Sequence, residues 1–179
     1  PLTLIEPPTE TNTALLGFDV ASNPVMLEAL ELARDAGQMS VSGRIQTDQN
    51  GSGAATTVAM YVPIFTKNTD LGTVDGRREG VAGWVSGSFR VSDLMASLQG
   101  QIDPNVGVKI YQSSTSANSD LLYDHHPGAW HDAVNSAQQT TKVIALGSKQ
   151  WSLRMYSLPA FEQKFASDQP WHIAVAGLS

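Results

Sequence analysis

The chain has 179 residues, of which 41% are hydrophobic, and its formal net charge is −6. This length and apolar content suit one ordinary domain or two small lobes, and they exclude a disordered chain. The 11 lysines and arginines do not cluster, so we expect neither nucleic acid nor an anionic membrane surface as a direct partner. The absence of cysteine excludes disulfides, thiolate metal ligands and a cysteine nucleophile.

The first part of the chain predicts two short apolar segments and then a helix. Leu2–Ile5 and Leu15–Val20 read as strands. Ser22 is a candidate N-cap, and Pro24 falls in the first turn, where its missing N–H costs nothing. Gly37 is the expected stop, because glycine readily adopts the left-handed conformation that ends helices. An apolar stripe at helical spacing marks the buried side of this helix: Met26, Leu27, Leu30 and Ala33.

Alternating residues then predict a β-hairpin. The segment Ser40–Gln46 places Val41, Gly43 and Ile45 on one side and Ser42, Arg44 and Gln46 on the other. A turn follows around Asn50-Gly51, and Thr56–Phe65 is the return strand. We expect residues 66–80 to form a loop, Val81–Phe89 to form a further strand, and Ser92 to begin a helix that ends at Gly100.

The second half repeats this order of elements. Strands are expected at Val106–Gln112, Leu121–Tyr123, Lys142–Leu146, Trp151–Leu158 and Trp171–Ala176. The third and fourth of these form a hairpin across Gly147-Ser148-Lys149-Gln150. A helix followed by antiparallel hairpins, present twice, predicts an α+β fold with two antiparallel sheets.

Several short sequences, in this order and spacing, resemble the CHASE domain, an extracytoplasmic sensor of membrane-bound histidine kinases and nucleotide or diguanylate cyclases. Each is weak alone, and together they cover most of the chain. They are Ile5-Glu6-Pro7, Leu16-Gly17-Phe18-Asp19, Ala33-Arg34-Asp35-Ala36-Gly37, Tyr61-Val62-Pro63-Ile64-Phe65, Gly83-Trp84-Val85-Ser86-Gly87-Ser88-Phe89, Leu94, Val108-Lys109-Ile110-Tyr111 and Leu121-Leu122-Tyr123.

The resemblance implies an α+β fold with two PAS-like lobes, a membrane-distal one over 1–91 and a membrane-proximal one over 92–179. It implies a periplasmic or otherwise extracytoplasmic ligand sensor that performs no chemistry itself. A cytoplasmic histidine kinase or diguanylate cyclase would give the response. No run of 18 apolar residues occurs, so we expect the transmembrane and stalk helices of such a receptor to lie outside this stretch. Homodimerisation through those stalks is expected.

The resemblance also implies a ligand site in the distal lobe. Met26 stands where plant cytokinin receptors carry an aspartate that holds adenine, and a thioether cannot accept those hydrogen bonds as a carboxylate does. Cytokinin binding of that kind is therefore not expected. The other pocket positions fall on Ser42, Arg44, Tyr61, Trp84 and Gly87. If Arg44 faces inward it favours an anionic ligand, and the aromatic residues favour a planar one.

Two alternatives stay open. Met26, Tyr61 and Trp84 suit a packed core equally well, so the lobe could bind nothing and only transmit dimer geometry. The segment Asp124-His125-His126-Pro127-Gly128-Ala129-Trp130-His131-Asp132 could hold a divalent metal in an enzyme, although a solvated turn is the simpler reading. No nucleophile elbow, zinc-protease motif or phosphate loop occurs, and we expect neither a cofactor nor a bound metal.

Overall fold

The computed structural model contains five α-helices, one 3₁₀ turn and eight strands among the residues that it describes. Those residues are 1–47, 55–98, 100–113, 120–128, 135–147 and 149–167. The helices are α1 (Glu10–Thr13), α2 (Pro24–Ala36), α3 (Val74–Gly80), α4 (Val91–Ala96) and α5 (Pro159–Ser167), and the 3₁₀ turn is Val20–Ser22. The strands are β1 (Ser40–Val41), β2 (Ile45–Thr47), β3 (Ala55–Phe65), β4 (Val81–Arg90), β5 (Val106–Tyr111), β6 (Leu121–Asp124), β7 (Gln139–Leu146) and β8 (Lys149–Ser157).

The first sheet is built around β3. Strand β4 pairs antiparallel with one edge of β3, and β1 and β2 pair in succession with the other edge. Tyr61 lies opposite Ser86 and Thr57 lies opposite Arg90, so these four residues share one face of the sheet. We call it the inner face, because α2 packs against it. The core cluster there consists of Ala29, Leu30, Ala33, Ile45, Ala59 and Tyr61.

Helix α2 confirms the strongest helix prediction and corrects its start. The N-cap is Asn23, whose side-chain oxygen accepts hydrogen bonds from the main-chain N–H groups of Val25 and Met26 at 2.9 and 3.3 Å. Ser22 instead ends the 3₁₀ turn, and its hydroxyl donates to the carbonyl of Asp19. The asparagine was the better cap because its side chain reaches two free N–H groups of the first turn. Gly37 ends the helix at φ 65°.

Strands β1 and β2 form one strand interrupted by a bulge. Val41 lies opposite Met60 and Ile45 lies opposite Thr57, so three residues on this side face two on β3. One extra residue in the intervening segment inverts the alternation of all that follow. The hydroxyl of Ser42 fills the resulting gap in the ladder, where it accepts a hydrogen bond of 2.9 Å from the N–H of Ala59. The predicted alternation therefore breaks here, and Ile45 reaches the inner face.

The predicted loop 66–80 contains helix α3, which arginine side chains fasten to the end of α2. Arg77 donates from Nε and Nη2 to the main-chain carbonyl of Asp35, at 2.9 and 2.6 Å. Arg78 and Arg34 donate to the carboxylate of Asp35 at 2.6 and 2.7 Å. These hydrogen bonds hold the pKa of Asp35 well below its usual range, with that from Arg78 the largest cause. A short helix with two glycines lacks the apolar period that would have predicted it.

The second sheet has the order β6-β5-β8-β7, and β5 is buried along almost its whole length. Gly107 lies opposite Tyr156, whose ring occupies the space that a Cβ at Gly107 would need. Lys109 is only 5% exposed and forms an ion pair of 3.1 Å with Asp124, its cross-strand partner on β6. Helix α5 follows β8 and was not predicted.

The chain divides into two compact units. The first consists of 1–94 with 145–150, and the second consists of 95–144 with 151–179. The boundary near 94 lies close to the expected division into 1–91 and 92–179, but the short segment 145–150 belongs with the first unit. The α+β class with two antiparallel sheets is confirmed.

Other element predictions had mixed outcomes. The strands expected at Leu2–Ile5 and Leu15–Val20 are absent; turns and irregular backbone occupy those positions, and side chains such as Leu4 and Leu16 are exposed. Apolar content alone misled the prediction there, because neither segment pairs with a sheet. The helix expected from Ser92 to Gly100 is shorter and ends at Ala96. The expected turn around Asn50-Gly51 and the strand Trp171–Ala176 lie outside the described residues.

Candidate ligand-binding site

A cavity of about 650 Å³ lies on the inner face of the first sheet. Its floor is formed by hydroxyl-bearing residues of β3 and β4: Thr57, Tyr61, Ser86 and Ser88. Both serines are exposed although they lie on the inner face. Helix α2 packs on β1 and β3 and reaches β4 at Trp84, whose indole N–H donates to the carbonyl of Leu30, whereas the two serines lie further along the strand. A volume of this size is typical of sites for small organic molecules.

The N-terminal segment forms the apolar roof of this cavity. Leu2, Leu15 and Phe18 all line it. Leu2 is held by two main-chain hydrogen bonds of 2.9 Å, one from its N–H to the carbonyl of Phe18 and one from the N–H of Gly17 to its own carbonyl. The side chains of Leu15 and Phe18 remain 43% exposed, so the roof covers the cavity only in part.

A second cavity of about 550 Å³ lies on the same face. It shares four lining residues with the first cavity: Leu2, Val20, Tyr61 and Ser86. Trp84 lines the second cavity, where its indole N–H donates to the carbonyl of Leu30 at 3.2 Å. The two cavities therefore adjoin at Tyr61 and at the N-terminal segment.

One end of the first cavity carries charge. Arg90 is the last residue of β4, and Asp93 lies one turn further on in α4. The two charged groups are 3.8 Å apart, and their side chains are 45% and 68% exposed. An ion pair this long and this exposed contributes little to stability. The guanidinium and the carboxylate thus both lie at the edge of the cavity.

Three of the six residues predicted for the site line these cavities. Met26 and Tyr61 contact the first cavity, and Tyr61 and Trp84 contact the second. Tyr61 is only 3% exposed, and burial raises the pKa of its phenol to about 12. It is therefore neutral at physiological pH and can offer its O–H as a donor.

The other three lie elsewhere. Ser42 is fully buried, and its hydroxyl belongs to the β1–β2 bulge. Arg44 also lies in this bulge, half-buried, and lines neither cavity. Gly87 lies opposite Met60 and therefore faces away from Ser86 and the inner face. A ligand-binding role for these residues stays a prediction, and the structure does not bring them to the cavity wall.

Sequence reasoning missed the floor and the charged end. Ser86, Ser88 and Arg90 follow Trp84 at every second position of β4, so strict alternation would have placed them together. That signal was present in the sequence. What it lacked was any indication that Ser86 and Ser88 stay exposed on the inner face.

The second unit has a smaller cavity of about 380 Å³. It is lined by residues that precede or belong to β5, β7 and β8 and by one residue of α5: Val106, Gln138, Gln139, Thr140, Met155, Tyr156, Ser157 and Phe161. Its lining carries no ionised side chain among these residues.

The histidine segment is described only as far as Gly128; His131 and Asp132 lie outside the described residues. Within the part that is described, no group of three or more metal-ligating side chains comes together. The rings of His125 and His126 lie 4.4 Å apart, and Asp124 is engaged by Lys109. The metal-site alternative therefore gains no support from the described residues.

Comparison with known proteins gives one family match. The family model of the CHASE domain matches residues 1–123, which is more than half of the chain. No curated protein matches the sequence. Among solved structures, the periplasmic sensory domain of the Campylobacter jejuni chemoreceptor Tlp1 is similar with a TM-score of 0.47 and 14% identity, over 81% of this chain and 58% of that one. The chain thus spans less than two thirds of that structure.

The chain belongs to the CHASE domain family. It is accordingly an extracytoplasmic sensor domain, and the family is sensory rather than catalytic. Across the described residues, no helix has the length and apolar character required to cross a bilayer.

Proposed function

We propose that this domain is the ligand-sensing part of a transmembrane receptor and that it binds a small molecule in the first cavity. The observation that carries the proposal is the position of that cavity on the inner face, beside α2 and Tyr61. The serines of its floor are accessible, so the site can be occupied without displacing the core cluster. The membrane-distal lobe of the proposed receptor is then the first unit.

The response would be a population shift between two arrangements of the receptor. A ligand changes such an equilibrium only by the difference between its affinities for the two states. Here the parts that can respond are the N-terminal segment around Leu2 and the start of α2 at Met26, because both contact the cavity. We propose that their movement reaches the cytoplasmic output, a histidine kinase or a diguanylate cyclase, through stalk helices of a homodimer.

A thermal-shift screen of the purified domain tests ligand binding. The library holds adenine derivatives, amino acids, organic acids and other small anions, and a ligand of the folded state raises the melting temperature with its concentration. Ser88→Phe places an aromatic ring on the cavity floor and should abolish the shift of any hit. Val85→Phe is the matched control, because Val85 is a neighbour on β4 that faces away from the cavity and is 61% exposed.

A second candidate function is a lobe that binds nothing and transmits only dimer geometry. Two observations favour it: Tyr61 is packed into the core cluster, and the indole N–H of Trp84 is already satisfied by Leu30. A screen without hits, together with equal melting temperatures for the wild type and Ser88→Phe, would support this candidate. Hits that Ser88→Phe abolishes and Val85→Phe preserves would exclude it.

A further inference from the structure

The first cavity has an unequal distribution of polar groups. Its roof and the side formed by α2 are apolar, and Ile45 adds an apolar residue from the sheet itself; the apolar lining comprises Leu2, Leu15, Phe18, Val20, Met26 and Ile45. Its floor carries hydroxyl groups, and both of its charged residues, Arg90 and Asp93, lie where β4 ends. A ligand that fits this lining has an apolar body and a polar group at one end.

The sheet register sets the length of that ligand. Tyr61 with Ser86 marks one end of the floor, and Thr57 with Arg90 marks the other. The two ends are four residues apart on β3, which is about 13 Å at the rise of a β-strand. The residues between them are small, since Ala59 lies opposite Ser88. The floor is therefore a shallow trough that suits an elongated molecule.

The charged end favours an anion over a cation. Arg90 is held on the inner face by its position opposite Thr57, and its side chain is less exposed than that of Asp93. Asp93 lies on α4 and accepts a hydrogen bond from the hydroxyl of Ser92. The guanidinium presents several N–H donors in a planar fork that matches a carboxylate.

We propose that the ligand of this cavity is an elongated organic acid, with an apolar body under the N-terminal segment and a carboxylate bound by Arg90. The proposal rests on the proposed function, because it names the ligand class of the same site. It replaces Arg44 by Arg90 as the anchor of the anion. The bulge after Val41 is the reason, because it shifts the alternation by one residue and places Ile45 on the inner face at the point where regular alternation would have placed Arg44.

Three probes with one apolar body and different end groups test the charge preference: 4-phenylbutyrate, 4-phenylbutan-1-ol and 4-phenylbutylamine. Titration of the ¹⁵N-labelled domain, followed by the amide shifts of Ser86 and Ser88, gives the affinity and locates the site. We expect the carboxylate to bind about tenfold more tightly than the alcohol, and the amine to bind more weakly than either.

Arginine variants then test the anchor. Arg90→Gln should weaken binding of 4-phenylbutyrate about tenfold and leave the alcohol unchanged. Arg154→Gln is the matched control, since Arg154 belongs to β8 in the second unit and donates to Gln139. Asp93→Asn should tighten binding of the carboxylate, because it removes a like charge near the anion. This variant gives an independent test if Arg90→Gln does not fold.

Three results would overturn the proposal while the cavity still bound small molecules: equal affinity for all three probes, loss of binding in Arg44→Gln but not in Arg90→Gln, or tightest binding by the amine with loss in Asp93→Asn. Each of these would leave the proposed function intact. Failure of all three probes to bind the wild type would also overturn the proposal of an organic-acid ligand. The proposed function itself is decided separately, by the library screen with Ser88→Phe and Val85→Phe.

Discussion

Asp35 joins α2 to α3 through both its carboxylate and its main-chain carbonyl. The carboxylate accepts hydrogen bonds from Arg34 and Arg78, and the carbonyl accepts two from Arg77. A carboxylate in the last turn of a helix is unfavourable beside the negative end of the helix dipole. The two guanidinium groups outweigh that cost, which explains why the pKa of Asp35 is held below its usual range.

We therefore expect Asp35→Asn to lower the free energy of unfolding by about 1 kcal/mol at neutral pH. The pKa is lower in the folded than in the unfolded state, so this contribution is present above about pH 4 and is lost as the pH falls further. Denaturant unfolding at pH 7 and at pH 3 measures both values. Glu79→Gln, which removes an exposed carboxylate of α3, is the control. A difference between wild type and Asp35→Asn that grew on acidification would contradict the assignment.

Lys109 and Asp124 form a buried ion pair in the second sheet, with side chains only 6% and 15% exposed. Removal of one charge leaves the other buried without its partner. We expect Asp124→Asn to cost about 3 kcal/mol, and Lys109→Met with Asp124→Asn to cost less than the single variant. Urea unfolding monitored by far-UV circular dichroism gives these differences. Glu28→Gln, which breaks the more exposed pair with Lys149 at 3.2 Å, should cost less than 1 kcal/mol.

At the scale of elements, the β1–β2 bulge decides which side chains reach the ligand cavity. The extra residue turns Ile45 to the inner face, and the hydroxyl of Ser42 replaces a main-chain acceptor for Ala59. A side chain thus completes the ladder at the point where the backbone cannot. Ser42, which was predicted as a pocket residue, therefore has its hydroxyl hydrogen-bonded within the sheet.

Ser42→Ala should destabilise the domain by about 1–3 kcal/mol, because it leaves the buried N–H of Ala59 without its acceptor. Ser86→Ala, the same substitution at an exposed position of β4, should change stability by less than 0.5 kcal/mol. Thermal unfolding measures both, and hydrogen exchange at Ala59 reports the local effect. Equal effects of the two substitutions would contradict a structural role for Ser42.

At the scale of the whole molecule, each unit has its own sheet and its own cavity. Among the described residues, the first cavity combines exposed serines on its floor with Arg90 and Asp93 at one end, whereas the lining of the second unit's cavity carries no ionised side chain. The net charge of −6 does not oppose an acidic ligand when a guanidinium stands at the edge of the site, since charges beyond about 10 Å are screened at physiological salt.

We expect a ligand found in the library screen to slow hydrogen exchange most strongly in the first unit, at residues 83–90 of β4 and around Gly17 and Phe18. Ligand contact and closure of the roof both reduce local opening there. Hydrogen–deuterium exchange with mass spectrometry measures the effect with and without the ligand. Protection centred on Val106 and Tyr156 would instead place the ligand in the cavity of the second unit and contradict the assignment of the site.

Much of the fold follows from local patterns. The apolar stripe and Gly37 predicted α2, strands were predicted close to the positions of β3 and β4, and alternation predicted β5. Of the residues predicted for the site, Met26, Tyr61 and Trp84 line the cavities, whereas Ser86, Ser88 and Arg90 also line the first cavity and were not predicted; the ligand-binding role of each stays a prediction. The missed residues lie on a strand whose alternation separates two faces but does not show which part of a face stays exposed.

The sequence by itself determined the class of protein, because the CHASE pattern is defined by the order and spacing of residues along the chain and can be recognised without knowledge of tertiary contacts. It also determined elements whose signals are local, such as the apolar stripe of α2 and the alternation of β5. Only the tertiary structure decided which residues form the cavity. A bulge of one residue changes the face on which the residues after it lie. The exposure of the β4 serines depends on where α2 packs on the sheet. Both depend on pairing between distant parts of the chain, which no short stretch of sequence encodes.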